Sequence, residues 1–558
     1  MRGRTAFIGV MVSAVAVAAC GSSGTVKNAA PPLSVTPTTT ATTTSTVGST
    51  ASTAPSTNAP STNAPSTDVT TSLPQTTVNL STTSTVADEP LRAGAQRMHF
   101  EVGPIDVKPG QNNISYTAGI PKPTVDGWIV RMKPDLRFAD GTVPPVDVIH
   151  LHHGVWLNQS RLDSTSRLPE RFLAAGEEKT ITTFPAPYAY KYLSTDKWTL
   201  NYMLHNLTDK DKQVWITYDL DFIAADSAAA TGILPARPIW MDVENGGVYP
   251  VFDVLQGSGA GGRFTFPDDA ANPYPNGNIK NQWVVDRPGV LIATAGHLHP
   301  GGLHTDLYDT RSGTKAHLFE SEARYFEPAG AVSWDVAMTA TTPDWAVAIK
   351  AGDVLSVSAT YDSSSASWYE SMGIMVVWMA DAPADSASTL AGNDPFVAPV
   401  DKAGMLTHGH LKENDNHGGG ASTYYKDLTN APSEAVTAEV KIQDFGYGDG
   451  DLSYGVGVPT VKPGGTLTFD NIDAPLANGI WHTITACKAP CDKATGIAYP
   501  IADGPVPFDS GELGLGGPPT ANRVTWTIPT NLPDGTYTYF CRIHPIMRGA
   551  FRVSTTGT

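Results

Sequence analysis

Between residues 97 and 390 the sequence consists of short runs of apolar and β-branched residues, separated by glycine, proline, asparagine and aspartate. Long helical periodicity is nearly absent from this region. The clearest runs are 147–151, 198–204, 213–223, 290–296, 354–361 and 373–379. Many short strands with turn residues between them are typical of β-sandwiches, so the pattern predicts an all-β fold.

The same pattern divides the chain of 558 residues into segments. Residues 97–230 and 231–390 each have the length of one β-sandwich, and alanine and proline accumulate where the two segments meet. After a linker at 391–432 that is rich in glycine, asparagine and histidine, residues 433–558 form a third all-β stretch. Residues 21–95 are dominated by threonine, serine, proline and alanine, which cannot build a core, so we expect a disordered linker there.

The first 20 residues have the features of an export signal. Two arginines precede an apolar stretch, Thr5–Ala19, that is too short for a transmembrane helix. It ends in Val-Ala-Ala-Cys20, which resembles the bacterial lipobox, whose cysteine is lipidated; an ordinary signal peptide that contains a cysteine is the alternative. We therefore expect residues 1–20 to be a lipoprotein signal. The protein would be exported to the bacterial cell envelope, outside the cytoplasm, and held to the membrane only by a lipid on Cys20.

The charge of the chain narrows the range of partners. The net charge is −17 and no basic run appears, whereas a surface that binds nucleic acid needs clustered lysine and arginine. We expect no nucleic-acid partner. An anionic small-molecule substrate is also disfavoured, although local patches can override the sum.

Four cysteines occur, and their number points to a metal. If Cys20 is lipidated, three remain in an oxidising compartment. Cys487 and Cys491, with three residues between them, can close a small disulfide loop. Cys541 is then left alone where a free thiol is a liability, and a bound metal would resolve this.

The last 25 residues contain a compact set of metal-binding side chains. A run of aromatic and β-branched residues leads to Cys541, and His544 and Met547 follow at intervals of three. A second imidazole must come from a distant strand, and His482, on a β-patterned run about 60 residues upstream, supplies it. A thiolate, two imidazoles and a thioether suit copper that cycles between Cu(I) and Cu(II).

This C-terminal set resembles the cupredoxins, the blue-copper proteins, and the short Cys-x2-His-x2-Met loop is similar to that of their amicyanin-type members. The resemblance covers residues 433–558 and includes Phe508-Asp-Ser-Gly, which is similar to the strand before the final hairpin. It implies a Greek-key β-sandwich with one type 1 copper that exchanges electrons with an external donor or acceptor. The insertion that carries Cys487 and Cys491 departs from the smallest members.

A second set of histidines lies in the middle of the chain. Residues i and i+2 of a strand face the same side, so His297 and His299 can bind one ion, with Met372 as a further ligand. His152, His153 and His205 form a second possible set. His150, which shares a strand face with His152, can compete as a ligand, and a His-x-His pair in a strand is often incidental.

The order of these motifs resembles the copper type II, ascorbate-dependent monooxygenases, the family of peptidylglycine α-hydroxylating monooxygenase and dopamine β-monooxygenase. The resemblance spans about 98–385 and implies two tandem β-sandwiches with one type 2 copper each. By this resemblance, an electron-transfer copper is bound by His152, His153 and His205. The catalytic, O2-binding copper is bound by His297, His299 and Met372.

Three departures from that family affect the expected substrate. Gly154 replaces the methionine that follows the paired histidines in the animal enzymes, and no cysteine lies between 21 and 486 to form their disulfides. Ala295 stands where peptide-amidating members have an arginine that receives the substrate carboxylate. A methyl group cannot pair with a carboxylate, so peptidylglycine is not the expected substrate and a neutral molecule is favoured.

Three histidines of the linker allow two interpretations. His408, His410 and His417 lie in a glycine-rich stretch and can be solvated turn residues. Alternatively, they form a strap that caps a copper site or binds a third ion.

Two hypotheses of function follow. In the first, the chain is an O2-dependent two-copper monooxygenase that hydroxylates a C–H bond of a small molecule and receives electrons through its own cupredoxin domain. In the second, it is a non-catalytic copper protein of the envelope, either an electron shuttle or a protein that stores or transfers copper. The number of coppers per chain separates the two.

Overall fold

The structure is a computed structural model that describes residues 90–382, 392–415, 428–488, 506–515 and 523–556, apart from short gaps inside these ranges. The predicted signal, Cys20 and the linker up to residue 89 lie outside the described residues. Within the described ranges the elements are strands and two single-turn 3-10 helices, Ala228–Ala230 and Lys412–Asn414, so the all-β prediction is confirmed. No helix among these residues is long and apolar enough to cross a membrane.

The first group of strands forms two sheets around one core. Its strands are β1 (Gln96–Val107), β2 (Asn112–Ala118), β3 (Gly127–Arg137), β4 (Ile149–Leu162), β5 (Pro169–Ala175), β6 (Thr182–Thr183), β7 (Tyr188–Tyr192), β8 (Trp198–Asn206) and β9 (Lys212–Ala224). One sheet has the order β1-β9-β3-β7, with β6 paired to β3, and the other has the order β2-β8-β4-β5. Alternate side chains such as Leu151, Leu200 and Ile216 point into the core between them.

The second group of strands continues the first. Its strands are β10 (Leu234–Asp242), β11 (Phe252–Val254), β12 (Arg263–Phe266), β13 (Gln282–Val284), β14 (Gly289–His297), β15 (Gly302–Arg311), β16 (Thr314–Tyr325), β17 (Val336–Thr341), β18 (Val347–Ile349), β19 (Val354–Asp362), β20 (Trp368–Ser371), β21 (Ile374–Asp381) and β22 (Gly404–Leu406). The order β10-β21-β14-β17-β16-β15-β19-β12 encloses a core that includes Leu307, Val357 and Met375. β10 pairs in parallel with β7, which joins the two groups through the backbone.

The C-terminal group is a smaller two-sheet sandwich. Its strands are β23 (Ser433–Glu434), β24 (Glu439–Ile442), β25 (Val458–Val461), β26 (Thr468–Asn471), β27 (Thr485–Cys487), β28 (Thr525–Thr527), β29 (Gly535–Phe540) and β30 (Arg548–Val553). The sheets have the orders β23-β25-β30-β29-β27 and β24-β26-β28. Aromatic side chains, including Phe469, Tyr539 and Phe551, fill the space between them.

Candidate metal centres

The predicted C-terminal ligands converge in the structure. Strand β29 delivers Cys541, and the following turn closes because Cys541 N–H donates to the Met547 carbonyl (3.1 Å) and Met547 N–H donates to the His544 carbonyl (2.8 Å). His482 Nδ1 lies 3.1 Å from His544 Nδ1, and Cys541 Sγ lies 3.8 Å and 3.7 Å from these two nitrogens. Three donor atoms therefore lie close together around one point. Met547 is buried in the apolar core of the C-terminal sandwich, which also contains Cys541.

The surroundings of this site favour a thiolate and an oriented imidazole. The backbone N–H groups of Thr483 and His544 point at Cys541 Sγ, at 3.4 Å and 3.3 Å. Burial raises the pKa of the Cys541 thiol, but the hydrogen bond and charge of His482 outweigh burial and hold this pKa below its ordinary value. His482 Nε2 is bonded to Asp473 Oδ2 (3.0 Å), which directs Nδ1 toward the sulfur. A soft thiolate with two imidazoles fits copper, and Asp473 was not predicted from the sequence.

A β-bulge in β4 sets the positions of the middle-region histidines. His150 lies directly opposite His205 of β8, Leu151 lies opposite Leu204, and His153 lies opposite Met203, so His152 is the extra residue. Leu151 points into the core, and the rings of His152 and His153 lie 5.7 Å apart. Bulges redirect side chains, and this one lets two adjacent histidines serve the same region.

Six buried histidines from the first two strand groups form one cluster, which we call the junction histidines: His150, His152, His153, His205, His297 and His299. Their ring centroids lie 5.0 Å apart for 150 and 205, 6.5 Å for 150 and 152, 4.4 Å for 152 and 299, and 5.2 Å for 297 and 299. Trp334 lies against three of these rings, at 4.7 Å, 4.9 Å and 5.0 Å. The two predicted ligand sets are therefore parts of one contiguous cluster, and His205 makes its ring contact in it with His150.

His297, at the end of β14, and His299, just after it, each have one ring nitrogen in a hydrogen bond with another residue of the protein. His297 Nδ1 is bonded to Glu178 Oε2 at 3.0 Å, and His299 is bonded to the backbone of Glu370. The Nε2 atoms of both histidines are buried without a hydrogen-bond partner among the described residues. A metal-binding histidine typically has this arrangement, with one nitrogen bonded to a carboxylate or carbonyl and the other nitrogen left for the ion.

The histidines of β4 and β8 repeat the arrangement. His150 Nδ1 is bonded to the Val146 carbonyl (3.1 Å) and His153 Nε2 to Asn201 Oδ1 (3.0 Å). In the described part of the chain, His150 Nε2 and the Nδ1 atoms of His152, His153 and His205 are buried without a partner. Burial lowers the pKa of His153 and of His205 to about 4, so both are neutral at physiological pH, which is the form that binds metals.

Met372 is tied to the His299 segment through a tyrosine. The Tyr361 hydroxyl accepts hydrogen bonds from the N–H groups of His299 (3.1 Å) and Met372 (3.0 Å), and it donates to the Met372 carbonyl (2.7 Å). The Met372 side chain is buried beside Trp240. Tyr361, in β19, and Trp334, just before β17, were missed by sequence reasoning because an isolated aromatic residue carries no local sign of such contacts.

The linker histidines lie apart from the chain of ring contacts described above. His408 and His410 pack on Phe326, at 6.0 Å and 5.3 Å between ring centroids. Thr407, next to them, donates to the Glu178 carbonyl (3.1 Å), so this segment covers the residue that orients His297. His417 lies outside the described residues.

Two side-chain interactions lie outside these centres: the disulfide of Cys487 and a contact of Asp306 with two histidines. Cys487 is disulfide-bonded, and its predicted partner Cys491 lies outside the described residues. On the paired strands β15 and β16, Asp306 lies 2.9 Å from His304 Nδ1 and 2.8 Å from His317 Nε2. Burial raises the pKa of Asp306, but these two bonds outweigh burial and lower it to about 2, as expected for an ion-paired carboxylate.

The C-terminal centre contacts the junction histidines directly. His205 Nε2 donates to the carbonyl of Ile543, one of the two residues between Cys541 and His544 in the ligand loop. The ring centroids of His205 and His544 lie 6.4 Å apart. Arg542 of the same loop donates to the Ser367 carbonyl and lies 5.1 Å from the Trp368 ring, which anchors the loop on the second strand group.

Comparisons with known proteins complete the description. No protein family and no curated protein matches the sequence. Among solved structures, a mutant of amicyanin in its Cu(I) form is 19% identical, with 24% of this chain and 97% of that one covered and a TM-score of 0.13. A Cu-containing nitrite reductase from Thermus scotoductus SA-01 is 14% identical (49% of this chain, 59% of that one, TM-score 0.14). A triple jelly roll protein of an archaeal virus is 12% identical (52% and 62%, TM-score 0.14), so the chain spans less than two thirds of the length of either of these two proteins.

Proposed function

We propose that the chain is a multicopper redox protein in which a cupredoxin-like type 1 centre passes electrons to copper at the junction histidines. There, O2-dependent hydroxylation of a small-molecule C–H bond takes place. The observation that carries this proposal is the contact between the ligand loop of the C-terminal centre and His205. An electron carrier and a set of oxygenase-like histidines are thereby adjacent within one chain.

The donor sets assign a different task to each centre. His482, Cys541, His544 and Met547 would hold a copper ion with all four positions taken by the protein, which leaves no position for a substrate. Copper held by these residues would supply one-electron transfer, and copper at the junction histidines would supply the activation of dioxygen. Hydrogen bonds from other residues to the ligand side chains fix the orientation of these ligands. The bond between Asp473 and His482 Nε2 is one of them.

The residues around the junction histidines supply orientation and exclude water. Glu178 and the Glu370 carbonyl turn the Nε2 atoms of His297 and His299 toward the cluster. By the resemblance to the copper monooxygenases, these two histidines and Met372 would hold the catalytic ion, and His152, His153 and His205 would hold the ion that relays electrons. Ala295 supports a neutral substrate, because no arginine stands there to pair with a carboxylate.

The cellular setting belongs to the same proposal. Lipidation of Cys20 and a long threonine-rich linker would tether the enzyme to the envelope membrane. An external reductant would reload the type 1 centre.

The test follows the blue absorption of the type 1 centre during reoxidation. The copper-loaded full chain is reduced with ascorbate and mixed with O2 in a stopped-flow instrument. In the wild type, the absorption returns rapidly because electrons leave the type 1 centre through the junction. Met372→Ala removes the thioether and is expected to slow this return at least ~10-fold, while the oxidised spectrum stays unchanged.

Met379→Ala is the matched control, because it removes a fully buried methionine from β21, the strand that follows Met372. Large-to-small changes at buried methionines lower stability by similar amounts, about 2–5 kcal/mol, so general destabilisation affects both variants. Equal reoxidation rates in both variants and in the wild type would contradict the proposal and favour a simple electron shuttle.

A further inference from the structure

His150 is the residue that the two predicted ligand sets leave unused. It lies directly opposite His205 in the antiparallel pair of β4 and β8. Directly opposed residues in such a pair have their Cβ atoms about 4.5–5.5 Å apart on the same face of the sheet. The two rings accordingly meet at 5.0 Å, which is the closest ring contact within the β4–β8 pair.

The environment of His150 is that of a ligand rather than of a core residue. Its side chain is fully buried and its ring lies 4.7 Å from Trp334. The Val146 carbonyl binds Nδ1, and Nε2 is buried without a partner among the described residues. In His205, on the opposite strand, the two nitrogens have the reverse roles. Nε2 is bonded to the Ile543 carbonyl, and Nδ1 has no partner among the described residues.

His153 has different neighbours. Its Nε2 is bonded to Asn201, and its ring lies 6.3 Å from Tyr249. Its ladder partner is Met203, which lies two pairs beyond the cross-strand pair of His150 and His205.

We propose that His150 is a ligand of the copper nearest the type 1 centre, and that it binds this ion together with His205 and His152 in place of His153. This inference rests on the proposed function only in that copper is bound at His205. It places the ion in direct line with the ligand loop, through His205 and the Ile543 carbonyl.

The test uses the full chain loaded with Cu(II), with copper counted after competition with a chelator. His150→Gln and His205→Gln are each expected to lose one copper per chain, and His153→Gln is expected to keep it. The ion lost should be a type 2 ion in electron paramagnetic resonance. The blue absorption of the C-terminal centre reports that each variant is folded.

The alternative outcomes are separable. If His205→Gln and His153→Gln lose the ion and His150→Gln keeps it, the inference is wrong while the proposed function stands. If none of the three variants loses copper, both are wrong. Anomalous X-ray diffraction of copper-loaded wild-type crystals decides the case in which His150→Gln does not fold, because a copper peak beside His150 Nε2 supports the inference and a peak beside His153 Nδ1 overturns it.

Discussion

In the C-terminal centre, Asp473 acts through His482 and is not one of the proposed copper ligands. Asp473 accepts the hydrogen bond of His482 Nε2, and its carboxylate is itself held by the N–H groups of Asp444 (2.8 Å) and Phe445 (3.2 Å). Burial raises the pKa of Asp473, but the bond from His482 and these backbone bonds outweigh burial and lower it. The carboxylate is therefore ionised and increases the basicity of the His482 ring.

Asp473→Asn tests this role. Loss of the charge makes His482 a weaker donor to Cu(II), so we expect about a 10- to 100-fold loss of copper affinity and a higher reduction potential. Redox titration of the blue absorption and competition with a chelator measure the two quantities. Asp470→Asn, on the neighbouring strand β26, is the control, and an unchanged potential in Asp473→Asn would show that the carboxylate has only a structural role.

At the scale of elements, the bulge in β4 is the feature on which the junction histidines depend. It adds one residue, His152, between positions that otherwise pair regularly with β8. Deleting that residue restores a regular ladder, so the strand should still form. The contacts of the His152 ring with His299 and Trp334 are lost at the same time.

We expect the chain without His152 to fold, to keep its blue absorption and to bind at least one copper fewer. Deleting the adjacent Leu151 removes the same number of residues but leaves a histidine in the fully buried core position that Leu151 occupies. That deletion should lower the thermal unfolding midpoint sharply. Similar midpoints for the two deletions would contradict the assignment of His152 as the bulge residue.

The bulge also explains which parts of the structure could be predicted from the sequence. Alternation along single strands and the spacing of Cys541, His544 and Met547 are local signals, and they led to the all-β fold and to a C-terminal set that converges in space. Whether one strand has an extra residue relative to its partner cannot be read from the sequence of that strand alone. From the sequence, His150 could therefore be named only as a residue that competes with the predicted copper ligands. Contacts such as that of Tyr361 with Met372 join separate segments of the chain and have no signal in either segment alone.

At the scale of the whole molecule, the proposed type 1 centre can supply electrons to the junction efficiently only if the C-terminal sandwich stays docked. Arg542, next to Cys541, makes that contact: its guanidinium is buried, donates to the Ser367 carbonyl and to Asp509 Oδ2 (2.9 Å), and lies over Trp368. Planar stacking and a fork of donors are properties of arginine that lysine lacks. Arg542→Lys therefore keeps the charge beside Asp509 and loses the anchor on the second strand group.

Arg542→Lys should leave the blue spectrum unchanged and slow electron transfer from the type 1 centre to the junction at least ~10-fold, because a docked donor becomes a tethered one at a lower effective concentration. Pulse reduction of the full chain, followed at the blue absorption, measures that rate. Arg552→Lys is the matched control, since Arg552 bonds to Thr536 and Ser433 of the C-terminal sandwich and to the Ala431 carbonyl. The docking contacts are buried, and buried pairs are screened little by salt, so the wild-type rate should change little between low and physiological ionic strength. A rate that falls steeply with salt in the wild type, or that is equal in both variants, would mean that exposed charges and not the Arg542 anchor bring the centres together.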